Sequence, residues 1–99
     1  MLKVIYANKQ IEEICTNGKI ARKKYGINMA NKIATRIKQL ISADSVEMMV
    51  QLHWGRCHKL LNNREGQYAM DLEHPYRLIF TIKNDELLIA KIIEIVDYH

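Results

Sequence analysis

Long apolar runs are missing from this chain of 99 residues. The longest, Leu87 to Val96, is broken by Lys91 and Glu94 and falls well short of the ~20 apolar residues that a bilayer-spanning helix needs. Met1-Leu2-Lys3 opens no signal-peptide pattern, so the expected location is the cytoplasm, with no membrane role. Cysteine occurs twice, at Cys15 and Cys57, without CxxC or zinc-finger spacing. In that compartment two reduced thiols are expected, at least one of them buried, and no disulfide. Proline occurs once and glycine four times, and no repeat, linker or low-complexity segment is visible. The expectation is one domain over residues 1–99, with an apolar content sufficient for a modest core.

What is abundant is positive charge. The formal net charge is +4 and the sequence pI about 9.1. Such a balance favours an acidic partner, either nucleic acid or an acidic protein segment, without choosing between them.

Leu2 to Tyr6 alternates as a first strand. Asn8 is placed to cap a helix through Ile11, Ile14 and Cys15, which Asn17-Gly18 is expected to end with a left-handed glycine. A longer helix is expected from Lys19 to Ser42, weakened or divided at Gly26. Its apolar face is Ala30, Ile33, Ala34, Ile37 and Ile41, and its basic face Arg22, Lys23, Lys24, Lys32, Arg36 and Lys38. That basic face is either simply solvated or a docking surface for an acidic partner, through Arg36 and Lys38 in particular. Asp44-Ser45-Val46-Glu47 fits a capping box with Asp44 as the cap, opening a short turn in which Met48 and Met49 fill the core.

Leu52 to Asn63 carries His53, Trp54, Arg56, Cys57, His58 and Lys59 around the breaker Gly55. The two histidines are five apart, not at the i,i+4 spacing of a helical zinc pair, and no carboxylate or cysteine completes a ligand set. No metal and no other cofactor is expected. From Arg64 onward the pattern is β: Tyr68, Met70 and Leu72 alternate, Glu73-His74-Pro75 turns, Tyr76, Leu78, Phe80 and Ile82 alternate, Asn84-Asp85 turns, and Leu87 to Val96 forms an apolar strand read as central. Connections this short require antiparallel pairing. The fold class is α+β: an N-terminal strand, a helical hairpin and an antiparallel meander, giving a four- to five-stranded sheet. The helices cover one face of the sheet, and the other is the candidate site.

The last strand delivers Asp97, Tyr98 and His99 in succession, which reads either as a polar strand end or as proton-handling groups on a rigid platform. Tyr68 and Tyr76 read as sheet packing, His74 as an exposed turn residue, Trp54 as an anchor onto the core, and Arg77 as an ion-pair partner of Asp71 or Glu73 as readily as a functional cation.

Three stretches, in this order, resemble HigB-type toxins. Cys57-His58-Lys59-Leu60-Leu61-Asn62-Asn63-Arg64-Glu65-Gly66-Gln67-Tyr68-Ala69 resembles a motif in which a histidine precedes R-x-G-Q-Y. Pro75-Tyr76-Arg77-Leu78-Ile79-Phe80 resembles the next strand, and Glu94-Ile95-Val96-Asp97-Tyr98-His99 the C-terminal signature. With the helices before them, the resemblance spans essentially the whole chain. It implies a RelE-like fold and the toxin of a type II toxin–antitoxin pair in the RelE/ParE superfamily. The implied activity is a ribosome-dependent messenger RNA endonuclease. The implied partners are the messenger on the ribosome and a helix-turn-helix, HigA-like antitoxin.

Metal-free RNA cleavage needs a base for the 2′-hydroxyl proton, cations for the phosphate and an acid for the departing 5′-oxygen. On that basis His58, Asp97, Tyr98 and His99 are the catalytic candidates, and Arg64 and Arg77 the phosphate ligands. The family pattern carries a lysine and then a glycine where this chain has Leu61 and Asn62. Lys59, on the same strand face as Leu61 if the segment is a strand, is the expected substitute cation. The alternatives are a gyrase-inhibiting toxin of the ParE branch, or a catalytically weak protein that only binds.

Overall fold

The structure is a computed structural model that describes residues 1–84 and 88–97. Strand β1 (Lys3–Tyr6) leads into three helices, α1 (Lys9–Thr16), α2 (Gly18–Tyr25) and α3 (Ile27–Ser42), and then a short α4 (Val46–Gln51). The rest is β2 (His58–Lys59), β3 (Gln67–Asp71), β4 (Tyr76–Asn84) and β5 (Leu88–Asp97), with 3-10 turns at Trp54–Arg56 and Asn62–Arg64.

Local chemistry explains the helix ends. Asn8 caps α1, its Oδ1 accepting from the Ile11 N–H at 2.9 Å. Gly18 is not the left-handed terminator expected from the sequence. It is the first residue of α2, and Asn17 serves both helices: its N–H donates back to the Glu13 carbonyl and its Oδ1 accepts from the Lys19 N–H. The left-handed residue is Gly26 (φ 93°), whose N–H closes α2 on the Arg22 carbonyl at 2.8 Å. It divides the expected long helix in two.

The buried stripe of α3 is Met29, Ala30, Ile33, Ile37 and Leu40. Ala34 and Ile41, expected inside, face solvent. The true stripe is turned by roughly 50° at about 100° per residue, so that the long side chains of Met29 and Leu40 reach the sheet. Ser45, not Asp44, caps α4: its Oγ accepts from the Met48 N–H at 3.1 Å, while Asp44 stands exposed one residue outside. Met49 is fully buried and Met48 packs beside it, as gap-filling methionines do.

The sheet order is β1-β5-β4-β3-β2. The meander β2-β3-β4-β5 is antiparallel, and β1 joins β5 in parallel, so the sheet is mixed. β5 is an interior strand, as expected, between β1 and β4, and β4 lies at the middle of the order. Leu78, Ile79 and Phe80 on β4 are all fully buried, although they alternate between faces, whereas β5 keeps only Ala90 and Ile92 buried. Strand alternation then sorts the faces. Met70, Leu78, Phe80 and Ile92 meet Met29, Ile33 and Leu40 in the helix-side core. The opposite face carries two rows in register: His58, Ala69, Ile79 and Glu94, then Asp71, Arg77 and Val96. Among the described residues no helix is long and apolar enough to cross a membrane.

Candidate active site

The approach to β2 is built from left-handed backbone. His53 (φ 57°), Gly55 (φ 60°) and Arg56 (φ 55°) all adopt it, while Trp54 anchors the turn on the core. For His53 and Arg56 this conformation costs about 1–2 kcal/mol each, so the surroundings must enforce it. One consequence is chemical. The Arg56 carbonyl lies 2.8 Å from His58 Nδ1. A carbonyl only accepts, so Nδ1 carries the hydrogen, and Nε2 of the neutral ring keeps its lone pair for another proton.

His58 stands on the face opposite the helices, paired with Ala69. Lys59 pairs with Tyr68, which stacks on Phe80 on the helix side. Lys59 therefore lies on the far side of the sheet from His58, over a hollow it shares with Val46, Val50 and Tyr68. The expectation that Lys59 and Leu61 share a strand face is not met. β2 stops at Lys59, and Leu61 leads, exposed, into a 3-10 turn.

Arg64 ends that turn and reaches across the open face, its Nη1 donating to Glu94 Oε1 at 2.6 Å and to Gln67 Oε1 at 3.0 Å. Arg77 sits in the next row, its Nε 3.4 Å from Asp71 Oδ1. Arg56 Nε lies 3.3 Å from the other oxygen, Oδ2. From the helix layer, Arg36 Nε donates to the Asp71 backbone carbonyl at 2.6 Å, and its Nη1 to Gln39 Oε1. Arg36 thus leaves the exposed basic face assigned to it from the sequence. Burial pushes its guanidinium below the ordinary arginine value, and the Asp71 carboxylate draws it part of the way back.

His53, Arg56, His58 and Arg77 line one open groove of about 430 Å³, with Val50 and Cys57 as its apolar wall. Burial pushes the Cys57 thiol up to about 11, so it offers no thiolate at neutral pH. Asp97 ends β5, exposed, opposite Tyr76 and one residue beyond the Val96 that faces Arg77. Tyr98 and His99 lie outside the described residues. Tyr68 and Tyr76 pack as expected, Tyr68 on Phe80 and Tyr76 edge-on to Tyr25.

The structure therefore brings His58 and Arg77 into one groove. It leaves Arg64 in the turn before β3, Asp97 opposite Tyr76 at the end of β5, and Lys59 behind the sheet. Two contributors were not singled out from the sequence, Arg56 and Asp71. Arg56 lies in the dense polar stretch that signalled the region, and Asp71 was considered only as an ion-pair partner of Arg77.

The architecture is the RelE-like α+β fold. No protein-family model matches the sequence, and no curated protein matches it. Solved structures do. YafQ from E. coli strain BL21(DE3) superposes with a TM-score of 0.64 at 14% identity, over 98% of this chain and 93% of that one. The YoeB protein in a heterotetrameric YoeB–YefM toxin–antitoxin complex from Staphylococcus aureus gives 0.61 at 21%, over 100% and 98%. A YoeB/ParE toxin from Agrobacterium tumefaciens gives 0.60 at 11%, over 99% and 100%. At these identities the likeness is one of fold: this chain is built like these YoeB, ParE and YafQ structures.

Proposed function

We propose that this chain is the toxin of a type II toxin–antitoxin pair, of HigB type, and that it cleaves messenger RNA on the ribosome without a metal. The observation that carries this reading is the groove itself. It places a histidine with a fixed tautomer beside two guanidinium groups, on the sheet face that the helices leave open. The fold supports it, since the similar structures include a YoeB/ParE toxin and a YoeB–YefM toxin–antitoxin complex. A helix-turn-helix, HigA-like antitoxin is the expected partner, and the cytoplasm the expected location.

In the proposed reaction the substrate's own 2′-hydroxyl is the nucleophile, so the protein only moves protons and neutralises charge. Neutral His58 accepts the 2′-hydroxyl proton at Nε2. Arg77 and Arg64 hold the phosphate as negative charge builds on its oxygens. Asp97 orients or exchanges protons with the terminal Tyr98-His99 pair, which supplies the acid for the 5′-oxygen. The exposed Leu61 gives no cation, so the arginines carry that role.

The test is a map of messenger 5′ ends after brief induction of the native protein, His58→Ala, Arg77→Ala and His99→Ala. New ends inside translated messages, lost in the variants, are expected. Removing one preorganised donor should cost about 10²–10³ in rate. Growth arrest without new ends would remove the nuclease reading in favour of a gyrase-directed toxin.

A further inference from the structure

Three arginines from three separate elements converge on one aspartate. Arg36 comes from α3, Arg56 from the 3-10 turn and Arg77 from β4, and all reach Asp71 on β3. Arg56 and Arg77 meet the carboxylate and Arg36 the backbone carbonyl of the same residue. Asp71 Oδ1 is shielded from water and has no hydrogen-bond partner among the described residues; Arg77 Nε lies 3.4 Å from it and Arg56 Nε 3.3 Å from the other oxygen of the same carboxylate. The carboxylate engages Arg56 and Arg77 through their Nε edges. An ion pair at each Nε draws both guanidinium groups toward the same carboxylate. Arg56 and Arg77 together line a second hollow of about 80 Å³ against His74, Pro75 and Tyr76, beside the larger groove they share with His58. The Arg56 side chain is 76% exposed there, although its backbone is held in a left-handed turn.

We infer that Asp71 aligns Arg56 and Arg77 as a two-guanidinium clamp on one phosphodiester of an RNA chain, in the hollow next to His58. Arg56 is a further phosphate ligand, and Asp71 a positioning residue that acts through both arginines. Arg36 braces the Asp71 backbone from the helix layer. The inference rests on the proposed RNA-directed function but not on cleavage itself.

The sign of one substitution separates positioning from plain electrostatics. Asp71→Asn removes a negative charge, and long-range electrostatics alone would strengthen RNA binding. Loss of alignment weakens it instead. The probe is a 2′-O-methyl oligoribonucleotide, which can bind but not be cut. It is titrated into the full chain while the arginine Nε–H signals are followed by NMR and affinity is measured across salt.

In the native protein the Arg56 and Arg77 signals should move together and saturate together. Asp71→Asn should bind about tenfold more weakly, the loss of one charge-assisted contact. Arg56→Ala should reduce the salt slope by about 0.7, one phosphate contact on a single strand. Arg56→Lys, which keeps charge but has no Nε to be aligned, should retain the slope and lose its sensitivity to Asp71→Asn. Tighter binding by Asp71→Asn, or an Arg56 signal unmoved while Arg77 saturates, would overturn the clamp, as would absence of binding by the native protein. Binding with this pattern but no message cleavage in cells would keep the clamp and remove the nuclease.

Discussion

Gly55 lies directly over the Arg36 side chain: a β-carbon at Gly55 would stand 2.5 Å from Arg36 Nε and 2.8 Å from its Cδ. Arg36 cannot yield easily, because that Nε is hydrogen-bonded to the Asp71 carbonyl at 2.6 Å. Gly55 also holds φ at 60°, which an L side chain resists. Gly55→Ala should therefore destabilise the protein by about 2–4 kcal/mol, combining left-handed strain with the lost charged hydrogen bond. Gly18→Ala is the control. It has open space, ordinary φ and a helical position, and should be neutral or stabilising by about 0.5–1 kcal/mol. Denaturant midpoints at constant slope would check both.

The cap of α4 supplies a second contrast. Ser45 Oγ accepts from the Met48 N–H, whereas Asp44, among the described residues, makes an exposed contact with the N-terminal ammonium at 3.6 Å. Ser45→Ala should cost about 1 kcal/mol, and Asp44→Ala less than about 0.5 kcal/mol. Equal costs would mean that Asp44 shares the cap. The consequence reaches the groove, because α4 contributes Val50 to its wall.

Alkaline pH should unfold the protein through its two thiols. Burial raises Cys15 to about 12 and Cys57 to about 11, against an ordinary 9.0. Below pH 9 the thiols are protonated in both folded and unfolded chains and favour neither. Above it the unfolded chain releases protons that the folded chain retains, so stability falls until the folded values are reached. Each thiol should contribute a slope of about 1.4 kcal/mol per pH unit in that window. Replacing Cys57 with Ala should flatten the decline between pH 9 and about 11. At pH 8 a thiol reagent should label neither cysteine in the native state and both in denaturant.

Much of this fold was legible because short-range rules govern it. Alternation at Tyr68–Leu72 and Tyr76–Ile82 placed β3 and β4, Asn8 marked the start of α1, and Gly26 marked the break before α3. What was not legible depended on partners distant in sequence. The rotation of the α3 stripe is set by which side chains reach the sheet, so Met29 and Leu40 displaced Ala34 and Ile41. Arg36 looked like one of a row of exposed cations, because nothing in its neighbourhood announces an Asp71 carbonyl 35 residues away. In the groove, His58 and Arg77 had been singled out by residue type and resemblance. Arg56 was not, because its position comes from a left-handed turn that no local motif encodes.

Lys59 is where sequence expectation and structural placement have opposite consequences. If it replaces the cation lost at Leu61, Lys59→Ala should lower message cleavage by about 10²-fold, as loss of a donor to the phosphate does. Its pairing with Tyr68 places it behind the sheet, away from His58 and Arg77. From there its exposed ammonium faces away from the groove and reaches a bound phosphate only through solvent, which screens it. The expected result is cleavage within about twofold of native for Lys59→Ala at physiological salt, beside a large loss for Arg77→Ala. A loss at Lys59 as deep as that at Arg77 would mean that the RNA wraps the short β2 edge and touches both faces. The site would then extend around His58 rather than stopping at it.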